Sequence, residues 1–286
     1  MADKRDIYQE VTDRIVASLE AGTVTWKRPW NAPDGMHRNP VSGTVYRGVN
    51  PFLLEMTAQA EGFGDPRWLT FKQAQSLGGA IRKGERSTLV VFWKTFKGED
   101  AQGREKTIPM LRHFNVFNVA QADGCELEPM AERPAFDPIA SAEAILEGMP
   151  NAPKLTHDGG NRAYYVPAWD SVHMPERDLF PEREHYYGTA FHELVHSTGH
   201  ASRLNRPEVA EMGPSRSFGD EDYSREELVA EFGAAMLCGT AGIMPATIDQ
   251  SAAYIAGWLK ALRNDKKLAV SAAGRAQKAA DYIRGI

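Results

Sequence analysis

Cysteine is almost absent from this chain. Among 286 residues only Cys125 and Cys238 occur, and neither stands in a C-x-x-C pair. A disulfide framework is thereby excluded, and a reduced, cytoplasmic setting is expected. Long apolar runs are missing too: the longest small-apolar stretch, residues 232–243, is interrupted by glycine and is too short to span a bilayer. The opening residues Met1-Ala2-Asp3-Lys4-Arg5-Asp6 are charged with no apolar segment behind them, so no secretory signal is expected. There is no internal repeat, no low-complexity tract, and no zinc-knuckle, RRM or helix-turn-helix signature. What remains is an ordinary soluble composition, 42% hydrophobic and 25% charged, in a chain long enough for two domains.

Charge is unevenly spread. Residues 1–125 hold 17 Lys and Arg against 14 Asp and Glu, and the rest holds 16 against 24, which together make the net charge of −5. Residues 67–97 carry seven basic residues and one acid, Glu85. A basic half joined to an acidic half suggests a division of labour. The join reads at residues 126–138, flanked by Asp123 and rich in proline and acid. The expected organisation is therefore a domain over 1–125, a linker over 126–138 and a second domain over 139–286. Ile7, Val11, Ile15 and Leu19 form an i,i+4 row that predicts an opening helix. Thr70 and Gln73 predict a capping box. The β-branched and aromatic run at 88–96, a polar turn, and the run at 109–117 predict a hairpin. In the second half Ser141 and Ser271 read as helix caps.

In the first half aromatic rings and cations sit side by side: Trp26, Arg28 and Trp30; Tyr46 and Arg47; Trp68; Phe71 and Lys72; Arg82 and Lys83; Lys94. Single-stranded nucleic acid wants this pairing, since bases stack on aromatic faces while Lys and Arg follow the phosphates. Asn50 could add a hydrogen bond to a base or sugar. The competing reading is that Trp68 and its like are core and the cations merely a solvated face.

The densest chemistry lies at His192-Glu193-Leu194-Val195-His196. On a helix the i,i+4 spacing of H-E-x-x-H puts both imidazoles on one face. Two imidazoles and one further ligand can hold Zn²⁺ with one position open to water, and Glu193 is placed to take a proton from that water. A third histidine in the metzincin position is excluded, because Ser202 stands there. His200 is expected in a supporting role behind the ligands.

The third ligand is sought downstream at Glu226-Glu227-Leu228-Val229-Ala230-Glu231. This E-x-x-A-E resembles the E-x-x-A-D helix of gluzincin-type peptidases. The resemblance implies that Glu227 binds the metal and that Glu231, one turn on, hydrogen-bonds a ligand histidine. Two alternatives stay open: Ser224 and Glu227 also form S-x-x-E, in which Glu227 is only a helix cap, and Glu226 or Glu231 could be the ligand instead.

Taken in order along the chain, G-T-V-Y-R-G-V-N at 43–50, P-R-W-L-T-F-K-Q-A at 66–74 and V-F-N at 116–118 resemble the N-terminal domain of ArdC-type antirestriction proteins, which is similar to one in TraC-type plasmid primases. Tyr165, Pro167, Asp170, Met174 and Pro175, then 192–200, Arg203-Leu204-Asn205 and 226–233 resemble the metallopeptidase domain of the same family. The resemblance implies an α+β architecture: an N-terminal α+β single-stranded-DNA-binding domain, then a mostly helical zincin-like metallopeptidase domain with a small sheet. It further implies one zinc-like ion per chain, a role in shielding incoming conjugative plasmid DNA from host restriction, and a protein substrate such as a host restriction component. No membrane partner is expected. The expected chemistry is that of a gluzincin-like hydrolase with Glu193 as general base, Tyr223 as an oxyanion donor, and residues 164–175 as an edge strand beside the site. The alternative is a non-catalytic, DNA-coating protein whose zincin domain is structural.

Overall fold

The computed structural model describes residues 5–24, 36–99, 105–129, 138–157, 159–210, 221–243 and 252–286. They divide into two units, one of residues up to Ile7 with 37–130, the other of residues 8–36 with 131–286. Helix α1 (Ile7–Glu20) buries Val11, Ile15 and Leu19, as the i,i+4 row requires. It does so within the second unit: Thr12 Oγ1 donates to the carbonyl of Lys266 at 2.9 Å. An amphipathic row says that a helix is buried and not what it is buried against.

In the first unit, α2 (Asn50–Glu61) packs beside a three-stranded antiparallel sheet of β1 (Trp68–Leu69), β3 (Thr88–Glu99) and β4 (Glu105–Asn118), in the order β1-β4-β3. Leu54, Ala58, Trp68, Val90 and Val116 form its core. Helix α3 (Phe71–Ser76) starts at the expected capping box, Thr70 accepting from the Gln73 N–H while the Gln73 side chain returns to the Thr70 N–H. A second strand pair, β2 (Ala80–Ile81) with β5 (Ala122–Asp123), closes the unit. Strands β3 and β4 form the predicted hairpin and run further than predicted, in register from Thr88↔Val116 to Glu99↔Glu105.

The second unit is mostly helical around a small sheet. After α4 (Pro138–Gly148) come β6 (Lys154–His157), β7 (Tyr164–Val166) and β8 (Ser171–Met174), ordered β6-β8-β7 with β7 antiparallel and at an edge. Helices α5 (Arg183–Ser197), α6 (Pro207–Ala210), α7 (Glu221–Ala241), α8 (Ala252–Asn264) and α9 (Leu268–Ile283) follow. Ser141 and Ser271 lie one turn inside α4 and α9 and do not cap them. Helix α7 is buried on most of its surface by Leu228, Val229, Phe232, Met236 and Leu237, each such side chain contributing about 1.5–3 kcal/mol. Its approach to α5 is set by Gly233: a Cβ there would lie 2.6 Å from Val195 Cγ2. Only a glycine lets the two helices come this close, and both carry the polar residues of interest within two turns of the contact. No described helix is long and apolar enough to cross a membrane.

Candidate metal centre

Helix α5 places His192, Glu193 and His196 in the interior, each under a tenth exposed. The i,i+4 spacing sets the two Nε2 atoms 3.1 Å apart with the rings nearly perpendicular, at 77°. From α7, Glu227 Oε2 lies 3.4 Å from His192 Nε2, and Oε1 lies 3.4 Å from His196 Nε2. Among the described residues these three side chains form a group whose ligand atoms all lie within 4.8 Å of one another.

The spacing fits a metal ion. Two ligand atoms each about 2.1 Å from a tetrahedral ion are about 3.4 Å apart, and neighbouring ligands of an octahedral ion are about 3 Å apart. Two imidazole nitrogens and a carboxylate suit zinc and its divalent neighbours. Charge argues the same way. Glu193, Glu226, Glu227 and Glu231 are all buried here with Arg206 as the buried guanidinium, and buried charge without a counter-charge is costly.

The outer ring edges have partners of their own. His196 Nδ1 lies 3.4 Å from Glu226 Oε1, and His192 Nδ1 lies 3.7 Å from Glu231 Oε1. Both separations are longer than a well-formed hydrogen bond, and neither Nδ1 has one. Glu226 is itself gripped by Arg206, Nε to Oε2 at 3.1 Å and Nη2 to Oε1 at 2.6 Å. Glu226 and Glu231 thus face the Nδ1 edges, away from the point shared by Glu227 and the two Nε2 atoms. The capping alternative for Glu227 also loses its basis: α7 begins at Glu221, so Ser224 lies inside the helix.

Burial acts on all these groups, yet the net directions differ. Burial would push Glu227 up, but the neighbouring imidazoles hold it well below the usual carboxylate range. Burial would lower His196, and Glu227 with Glu226 raises it instead, to about 10. Glu193 is raised, chiefly by burial, while the main-chain N–H of Tyr165 on β7 donates to it. A buried carboxylate with a raised pKa is the state a general base needs near neutral pH.

One predicted site residue is placed differently and another lies outside what the structure describes. His200 is not behind the ligands: its Nδ1 pairs with Ser202 Oγ at 2.8 Å, because the chain turns at Gly199 after α5 ends. Tyr223 lies on α7, with its side chain outside the described residues. Arg206 is the buried member that motif reading missed; nothing in its local sequence marks it.

Of the predicted nucleic-acid contacts, Trp26, Arg28 and Trp30 lie outside the described residues. The expectation for Trp68 and Asn50 is corrected. Trp68 is fully buried and its Nε1 donates to His37 Nδ1 at 3.1 Å. Asn50 spends its carboxamide on the N–H and C=O of Val91, both at 2.7 Å, and so plugs the β3 edge. Tyr46 packs on the Trp68 cluster and donates to the Trp68 carbonyl at 3.3 Å. Arg47, Phe71, Lys72, Arg82, Lys83 and Lys94 are exposed, though Arg82 is committed to Glu85, Asp123 and the Ala120 carbonyl. The hairpin brings Phe96, Arg112 and Phe114, which sequence had not singled out, together with Phe92 and Lys94. Phe92 and Phe114 stack at 4.6 Å, and Lys94 and Arg112 flank Phe96 at 5.5 and 5.4 Å. Phe114 is 54% exposed and Trp93, on the opposite face, 51%.

Comparison with known proteins matches both halves. Residues 5–117 match the family described as the N-terminal domain of anti-restriction factor ArdC. Residues 140–275 match the zincin-like metallopeptidase family. The crystal structure of the antirestriction protein ArdC from plasmid R388, metal-free, is 41% identical with a TM-score of 0.78, covering 98% of this chain and 97% of that one. Its Mn(II)-bound structure is 40% identical with the same TM-score of 0.78, covering 98% of each. A protein of Sinorhizobium fredii, y4eC, is 37% identical over 97% of this chain and 91% of its own length. Two DNA primases TraC of Escherichia coli are 36% and 34% identical, over 99% and 98% of this chain. The chain spans only 20% and 27% of those primases.

Proposed function

This chain belongs to the ArdC family of antirestriction proteins, and from that premise we propose that it binds single-stranded DNA through its first unit and acts as a metal-dependent peptidase through its second. The cluster of His192, His196 and Glu227 at 3.1–3.4 Å carries the second half of the proposal. A divalent ion held there would supply Lewis acidity, acidifying a water and polarising a substrate carbonyl. Glu193 takes the proton of the attacking water and returns it to the leaving amine. The Tyr165 N–H that donates to it keeps its carboxylate turned to the site, and β7 offers an edge for an extended substrate. Glu226 and Glu231 orient the imidazoles from behind. The Mn(II)-bound R388 relative supports a divalent ion; zinc is our preferred ion for an N,N,O set.

For DNA, the exposed aromatics and cations of the hairpin, with Arg47, Phe71, Lys72 and Lys83, form the supporting surface. The biological reading is protection of incoming conjugative plasmid DNA from host restriction in the cytoplasm, by cleavage of a protein on or near the strand. Its test is Glu193→Ala against wild type in a restriction-protection assay, with oligonucleotide binding measured alongside. Loss of protection with DNA binding intact is the expected result. Full protection by the variant would reject the peptidase role and favour a coating protein whose zincin fold is structural.

A further inference from the structure

Arg206 is ten residues beyond His196, on the loop that returns from α5, and is 6% exposed. Beyond its fork onto Glu226, Nη1 donates to Thr198 Oγ1 at 2.6 Å and Nη2 to the Val195 carbonyl at 2.7 Å. One planar cation therefore ties the last turn of α5 to α7 in a bidentate geometry that lysine cannot copy. The turn leaves it just enough room: a Cβ on Gly199 would lie 2.3 Å from Val209 Cγ2 and 3.2 Å from Arg206 Nη2. The Glu226 oxygen that Arg206 grips at 2.6 Å is the same Oε1 that faces His196 Nδ1 at 3.4 Å.

An imidazole that offers Nε2 to a cation carries its proton on Nδ1, and that proton needs an acceptor aligned with the ring. We propose that Arg206 is a positioning residue of the metal centre: by fixing both oxygens of Glu226 it makes that carboxylate the acceptor for Nδ1–H of His196 and so turns the Nε2 lone pair toward His192 and Glu227. The inference rests on the metal reading above and goes beyond it, since it assigns work to a residue that touches no ligand atom of the proposed ion. Arg206 is thus tuned for metal affinity as well as for folding.

The two roles separate in a cycle. Full-length wild type, Arg206→Met, Glu226→Gln and the double change Arg206→Met with Glu226→Leu are compared for denaturant midpoint and for affinity toward Mn(II) and, in parallel, Zn(II). Each single change is expected to weaken binding of the ion about 10–100-fold and to lower the midpoint, since a buried charged group loses its partner. The double change removes both members of the Arg206–Glu226 pair and so leaves neither without its partner; the midpoint is expected to recover while binding stays weak. A double variant that recovers both stability and wild-type affinity would overturn the proposal and leave the pair a packing device. If the single variants do not fold, the double variant decides alone. A wild-type chain that binds neither ion rejects the metal reading itself, an outcome distinct because no variant then differs from it.

Discussion

At the scale of single residues, Arg203 shows how much of this site is built by groups that do no chemistry. Its side chain has no surface in water. Nε donates to the Ser197 carbonyl at the end of α5 at 2.8 Å, Nη1 to the Asn151 carbonyl at 2.8 Å and to Asp170 Oδ2 at 3.0 Å, and Nη2 to Asp170 Oδ1. The Tyr165 hydroxyl donates to Asp170 at 2.9 Å, so the network fixes β7, whose main-chain N–H reaches Glu193. Burial would raise the Asp170 carboxyl, but hydrogen bonds from Arg203 and Tyr165 hold it below the usual range. A carboxylate lowered by folding adds stability above its unfolded pKa of about 3.9 and loses it as pH falls through the lower folded value. Acid melting of wild type should therefore steepen below about pH 4, and Asp170→Asn should flatten that part of the curve while lowering stability at neutral pH. An unchanged acid limb in the variant would show that the pair contributes nothing to folding. Asp170 keeps a third of its side chain in water, so the neutral-pH loss should fall short of the 3–5 kcal/mol typical of a fully buried pair.

At the scale of elements, what could be read from sequence followed from local periodicity. The H-E-x-x-H spacing and the apolar back of Phe191, Leu194 and Val195 specify α5, and Thr70 with Gln73 specify the start of α3. The hairpin followed from its β-branched runs. What could not be read depended on contacts distant in sequence. Trp68 sits beside Arg67 and Lys72 in the chain and looks like a stacking residue, yet β1 pairs with β4 through Trp68↔Asn118 and turns the ring inward. Arg206 carries no motif, and its partner Glu226 arrives from another helix. The hairpin platform was half visible: the cross-strand pairs Phe92↔Arg112 and Lys94↔Met110 put aromatic and cationic side chains of both strands on one face, which strand-by-strand reading separates. This element carries its own prediction. Phe114→Ala and Trp93→Ala should each cost about 1–3 kcal/mol in single-stranded DNA binding where a base stacks, with little change in melting temperature because both rings are already half in water. Fluorescence anisotropy with a labelled oligonucleotide at two salt concentrations would check it. Unchanged affinity in both variants would move the DNA surface elsewhere in the first unit.

At the scale of the whole molecule, the sequence divides basic from acidic halves, and the fold divides in two near the same place, α1 apart. The acidic half gathers four carboxylates around two imidazoles on helices that Gly233 lets pack closely. Such a concentration of buried negative charge is the physical ground for a bound divalent cation, and the peptidase proposal depends on it. The most direct test is metal analysis of the purified full-length chain after loading with Zn(II) or Mn(II) and removal of free ion. The account predicts about one ion per chain for wild type, almost none for His196→Ala and Glu227→Ala, and a retained ion with about 10–100-fold weaker affinity for Glu231→Ala. A wild-type chain without bound ion under these conditions, or a Glu227→Ala chain that keeps its ion while Glu231→Ala loses it, would contradict the account.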